Sequence, residues 1–265
     1  MNREAAIGIF DSGVGGLTVV HALLEALPAE HLIYLGDTGR YPYGTKSAET
    51  VTRYSLENTE FLLARDVKLL VVACNSASSV ALGPIAARAG VPVVGVIEPG
   101  ARAALARSRT RRIGVIGTDA TIGAGEYTRA LRAGDPAVEV YTRACPLFVP
   151  LAEEGWTDGP VVEQVAETYL GTLARSGIDT LILGCTHYPL LKKPIARVLG
   201  AGVALVDSAE ETARDVRALL EARELLRPGG RGSTSFFVTD VPERFVRIGE
   251  RFLGARVQSA VRIER

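Results

Sequence analysis

The chain has 265 residues, of which 47% are apolar and 23% charged, and its 30 basic and 30 acidic side chains cancel. That length fits one large domain or two ordinary ones, and the neutral balance excludes a long-range pull toward nucleic acid or an anionic membrane. The three cysteines, an odd number, make no disulfide framework, and the longest uncharged stretch, residues 69–87, holds Asn, Ser and Pro and is no membrane span.

Short apolar runs alternate with longer amphipathic ones along the whole chain. Strands are expected over 6–10, 32–35, 69–73, 91–96, 113–116, 180–183, 203–206 and 235–238. Helical patterns lie between them, for example over 17–27, 48–64, 161–175 and 210–224. Strand–helix alternation predicts α/β architecture with largely parallel sheets flanked by helices. No signal peptide is read ahead of the first strand, so a cytoplasmic protein is expected.

A faint repeat divides the chain. Ile7-Gly8-Ile9-Phe10-Asp11-Ser12 and Ile113-Gly114-Val115-Ile116-Gly117-Thr118 are similar, and each is followed at a similar distance by a strand ending in a cysteine, Cys74 or Cys185. Two similar domains facing each other are expected. The first holds residues 1–97 and 208–265, with Asp11 and Cys74; the second holds 98–207, with Cys185 and His187. In open α/β sheets ligands collect beyond the carboxyl ends of the strands, which places the site in the cleft between the two.

The two strand-end cysteines carry the functional signal. Most unpaired cysteines are small buried hydrophobes, and Cys145 is read that way. Cys74 and Cys185 differ, because Asn75, Ser76, Thr186 and His187 follow them, and the next helix offers N–H groups to a thiolate. Two thiols without a metal or a bridge suit proton removal from one face of a carbon and delivery to the other. A zinc site is not expected, since there is no C-x-x-C and the other histidines, His21 and His31, lie elsewhere. Schiff-base chemistry is limited by the scarcity of lysine, found only at 46, 68, 192 and 193.

His187 could be a general base or could hold the thiol ionised. The glycine-rich run Asp11 to Gly16 could cradle an anion or be a tight turn; Asp11 would repel a phosphate but suits an ammonium group or a thiol. Asp37 with Pro42-Tyr43-Gly44 reads either as a turn or as a loop offering N–H groups to a carboxylate. Glu153 and Glu154 could be helix-surface charges, and Glu154 is taken as one.

Together these segments resemble the glutamate racemase family, within the aspartate/glutamate racemase superfamily. The resemblance rests on Phe10-Asp11-Ser12-Gly13-Val14-Gly15-Gly16-Leu17-Thr18, Gly36-Asp37 with Pro42-Tyr43-Gly44, Ala73-Cys74-Asn75-Ser76-Ala77-Ser78, Ile97-Glu98-Pro99, Cys145-Pro146 with Phe148-Val149-Pro150-Leu151, and Gly184-Cys185-Thr186-His187-Tyr188-Pro189-Leu190-Leu191. Ser76 departs from the family's more usual Thr but keeps the hydroxyl.

The resemblance implies cofactor-independent interconversion of L- and D-glutamate, supplying D-glutamate for peptidoglycan. It implies Cys74 and Cys185 as the catalytic pair, assisted by Asp11 and His187 and by Asp37 and Glu153. Asp11, Ser12, Tyr43, Gly44, Asn75, Ser76, Thr186 and His187 match substrate-binding positions. The implied partner is the small-molecule substrate, with neither nucleic acid nor membrane, and the implied assembly is a homodimer. Some members carry an N-terminal extension tied to activation by a cell-wall precursor; the first strand begins within a few residues of Met1, so that regulation is not expected here. An aspartate or hydantoin racemase is the sibling alternative. A non-catalytic amino-acid sensor and a dithiol redox protein are alternatives from other classes; the paired cysteines weigh against the first, and the missing C-x-x-C against the second.

Overall fold

The structure, a computed structural model, describes residues 2–264. Among the described residues the strands are β1 (Ile7–Asp11), β2 (Leu32–Gly36), β3 (Leu69–Val72), β4 (Val93–Gly95), β5 (Arg112–Gly117), β6 (Glu139–Ala144), β7 (Thr180–Gly184), β8 (Ala204–Asp207), β9 (Thr234–Val238) and β10 (Val261–Arg262). They form a six-stranded sheet, β10-β9-β2-β1-β3-β4, and a four-stranded sheet, β6-β5-β7-β8. Every pairing is parallel. The chain is thus α/β, with two parallel sheets flanked by helices.

Parallel strands are covered on both faces, so their sequences are continuous apolar runs. β1, β3 and β7 follow this rule and are buried at every position. The expected strands all form, with ends shifted by a residue or two. β6 was not anticipated. As the edge of its sheet it is half-exposed and carries Glu139 and Arg143, so it lacks the apolar run that marks a central strand. The two-residue β10 is too short and too exposed to leave a signature.

The repeat seen in the sequence is a repeat of topology. The order β2-β1-β3-β4 in the first sheet matches β6-β5-β7-β8 in the second. β1 corresponds to β5, and β3 to β7. Each of the two cysteines follows the strand paired with the opening strand of its unit, β3 beside β1 and β7 beside β5. Helices are closed off by local chemistry: the Ser47 hydroxyl accepts the Thr50 amide at the start of Ala48–Leu63, and Asp207 accepts the Ala209 amide at the start of Ser208–Ala222.

No described helix is long and apolar enough to cross a membrane.

Candidate active site

The carboxyl ends of β1 and β3 face those of β5 and β7 across a small cavity of about 30 Å³. Cys74, Asn75, Ser76 and Ser12 reach it from the first sheet, and Cys185, Thr186, His187 and Thr118 from the second. Tyr41 to Gly44, after β2, and Val149 complete the wall.

Each cysteine is held by the strand that ends before it. Cys74 leaves the sheet in extended conformation and caps the helix Asn75–Val80. Its Sγ lies 3.8 Å from Ser12 Oγ. Burial, reinforced by the nearby Asp11 carboxyl, pushes the Cys74 thiol up to about 12, against the pull of N–H groups at Ala77 and Ser12. Cys74 is therefore a thiol near neutrality.

Cys185 follows β7 directly, and its Sγ lies 3.8 Å from His187 Nδ1. The other ring nitrogen, Nε2, lies 3.1 Å from Glu153 Oε1. Burial disfavours a charged imidazole, but Cys185 and Glu153 outweigh it and carry His187 up to about 10. Burial of Glu153 works against its ionisation too, and His187, Tyr41 and Arg244 still hold its carboxyl below the usual range. Cys185, His187 and Glu153 thus form a relay that runs from the cavity to a carboxylate flanked by Tyr41 and Arg244. Glu154, next in sequence, is exposed.

Glycine permits the close approach of the two units at two points. A Cβ on Gly15 would lie 2.3 Å from Thr186 Oγ1 and 2.5 Å from the His187 ring, and one on Gly44 would lie 2.7 Å from Thr118 Cβ. Polar contacts accompany them: Thr18 Oγ1 donates to the Thr186 carbonyl at 3.2 Å, and Ser76 Oγ meets Thr118 Oγ1 at 3.0 Å. The Ser76 hydroxyl, where the resemblance suggests a threonine, therefore still spans the cleft.

Three of the anticipated residues do not line the cavity: Glu153, which backs His187, and Asp11 and Asp37. Asp11 is buried at the end of β1; its Oδ2 accepts the Gly13 amide at 3.0 Å, and its Oδ1 makes no hydrogen bond among the described residues. Burial raises the Asp11 carboxyl despite the opposing pull of His187. Asp37 accepts the hydroxyl of Tyr43, the Arg40 guanidinium at 2.8 Å and Thr239 Oγ1 at 2.9 Å. It clamps Tyr43 from behind and does not line the cavity. Tyr43 is further held by Asn58 Nδ2 at 3.0 Å.

Sequence reasoning passed over Tyr41, Thr118 and Val149. Thr118 carried a signal, for it occupies the place of Ser12 in the repeat. Tyr41 adjoins the Pro42-Tyr43-Gly44 motif, and its ring lies 6.3 Å from that of His187. Val149 lay within the Phe148-Val149-Pro150-Leu151 motif but was given no role of its own. Cys145 is fully buried with its Sγ on the Arg143 carbonyl at 3.7 Å, away from the cavity. None of the four lysines lines the cavity, and Lys68 is buried against Glu30 at 2.5 Å. Among the described residues, no group of three or more His, Cys, Asp or Glu is placed to hold a metal ion.

The chain is similar to known proteins over nearly its full length. The family model described as Asp/Glu/Hydantoin racemase matches residues 7–216. A glutamate racemase of Geobacter metallireducens is 60% identical over 95% of this chain and 94% of its own. The crystal structure of glutamate racemase from Thermus thermophilus in complex with β-chloro-D-alanine superposes with a TM-score of 0.91 at 50% identity, covering 100% of this chain and 98% of that one. That of the Francisella tularensis enzyme in complex with D-glutamate gives a TM-score of 0.93 at 38% identity, covering 99% of this chain and 98% of that one. With a family model matched over most of its length and relatives this similar, the chain belongs to the Asp/Glu/Hydantoin racemase family.

Proposed function

We propose that this chain interconverts L- and D-glutamate without a cofactor, using Cys74 and Cys185 as acid and base on opposite faces of Cα. The observation that carries the reading is that both thiols open onto one cavity from two different sheets. Two groups related by a topological repeat approach a bound molecule from two sides, which inversion at carbon requires. When L-glutamate reacts, Cys185 as thiolate takes the α-proton and the Cys74 thiol gives its own proton to the opposite face. The roles are then exchanged, and the reverse direction starts from that state. The protonated Cys74 and the imidazolium beside Cys185 match the state that accepts L-glutamate.

The hard step is charge on the carbanion beside a carboxylate, which fixed donors must offset. Ser12, Tyr43, Gly44, Asn75, Ser76 and Thr186 supply hydroxyl, amide and backbone donors for the carboxylates, with His187 beside Cys185. Asp11 and Glu153 act through Cys74 and His187, and Asp37 through Tyr43. On this reading the substrate enters between the two bodies whose strand ends line the cavity. The movable bodies of this reading are residues 1–97 with 208–265, and residues 98–207. Its setting is a cytoplasmic homodimer that supplies D-glutamate for peptidoglycan. Racemisation of L-glutamate by the purified, dialysed protein in a chelator, with no added cofactor, tests it. Activity that only pyridoxal phosphate or a metal restores contradicts cofactor independence, and turnover of aspartate instead of glutamate corrects the substrate.

A further inference from the structure

We propose that Tyr127 is a positioning residue for racemisation: its hydroxyl fixes the Asn75 side chain with its oxygen turned away and its NH2 group offered to a substrate carboxylate. The inference rests on reading the cavity as a racemase site.

Tyr127 belongs to the helix Glu126–Gly134, on the side of the second sheet, and is 2% exposed. Its hydroxyl donates to Asn75 Oδ1 at 2.7 Å. Asn75, which follows Cys74, is 3% exposed and lines the cavity. Its Nδ2 is buried and makes no hydrogen bond among the described residues. A carboxamide has an acceptor oxygen and an amino group with two donors, and a buried donor left unpaired is costly. A carboxylate in the cavity would satisfy it. The opposite orientation would point the amide oxygen at that carboxylate and repel it. By taking the oxygen, the phenol selects the orientation that binds an anion.

The phenol is itself fixed. A Cβ on Gly184 would lie 3.0 Å from Tyr127 Cε2, and one on Gly100 3.4 Å from Cε1, so the ring rests where two side chains are missing. Gly184 precedes Cys185. Tyr127 therefore touches the residue before one thiol with its ring and the residue after the other with its hydroxyl. Burial raises the phenol further above its ordinary value, so near neutrality it stays protonated and a donor.

The test uses Tyr127→Phe, which keeps the ring, in the full chain. In the ligand-free protein, the Asn75 side-chain amide is identified by NMR from its loss in Asn75→Ala. Tyr127→Phe should speed solvent exchange of that amide by about tenfold. Unchanged exchange and chemical shift overturn the proposal, whatever the enzyme does. In kinetics, Tyr127→Phe should raise KM for L-glutamate about tenfold with a smaller change in kcat. The same change in an Asn75→Ala background should alter kcat/KM less than about twofold, because the residue it acts through is gone. An equal loss in both backgrounds overturns the proposal. Asn75→Asp keeps the acceptor for Tyr127 and replaces the donor with a carboxylate oxygen; it should fold and lose substrate affinity, and undiminished affinity would also overturn it. If the native protein racemises no amino acid, the proposed function fails, and the NMR experiment alone still decides the Tyr127–Asn75 link.

Discussion

His187 stands between Cys185 and Glu153: Nδ1 lies 3.8 Å from Cys185 Sγ, and Nε2 lies 3.1 Å from Glu153 Oε1. The second contact lets a carboxylate outside the cavity set the protonation of a group inside it. Glu153→Gln keeps the shape and removes the charge. The His187 pKa, now about 10, should fall toward the ordinary imidazole value. The basic limb of the kcat/KM profile should then move to lower pH by about one unit or more. A profile superimposable on the native one would count against the relay.

The same imidazole links stability to pH. Its folded-state pKa is raised above the unfolded value, so the folded protein binds the extra proton between roughly pH 6.5 and 10. Its stabilising contribution is complete below about pH 6.5 and is lost as pH rises through about 10. Urea unfolding across this window should show the native protein losing roughly 1–3 kcal/mol more than His187→Asn does. Parallel stability curves for the two proteins would contradict it.

Gly15→Ala tests the closed geometry. The added methyl would meet Thr186 and His187 at 2.3–2.5 Å, while the backbone at residue 15 is outside the positive-φ region. The fold of each unit should survive, but the two could not close fully. A loss of kcat/KM of about a hundredfold is expected, with near-native circular dichroism. Native activity would show that this contact is not part of the working state.

How much of this was legible in the sequence depends on where the signal resides. β3 and β7 are buried on both faces, so each is an apolar run, and polar residues after the run mark the thiols as unlike the inert Cys145. β6 escaped because an edge strand needs no such run. Tyr127 and Tyr41 act on Asn75 and on the Glu153 carboxylate through contacts that exist only once distant segments fold together. Nothing in their immediate neighbours reports this. Asp37 follows a strand as the site residues do, but the structure turns its carboxylate onto Tyr43 and Arg40 instead of into the cavity.

Asp11 raises the Cys74 thiol, whereas His187 contacts Cys185. Asp11→Asn and His187→Asn should therefore affect the two directions unequally. The equilibrium constant between enantiomers is one, so kcat/KM must fall equally in both directions. The asymmetry is expected in kcat and KM taken separately, measured from L- and from D-glutamate. Equal changes in kcat for both enantiomers would argue against separate helpers.

The two-thiol claim is tested most directly by hydrogen exchange in heavy water with single-cysteine variants. Cys185→Ala keeps the thiol proposed to act on D-glutamate and lacks the group for the opposite face. It should racemise almost nothing, yet slowly place deuterium at Cα of D-glutamate while leaving L-glutamate untouched. Cys74→Ala should do the reverse. Exchange will be slow, because the thiol must trade its proton with solvent before returning it. Deuterium in the other enantiomer would reverse the assignment of faces, and substantial racemisation by either variant would contradict the account, since one thiol would then be serving both faces.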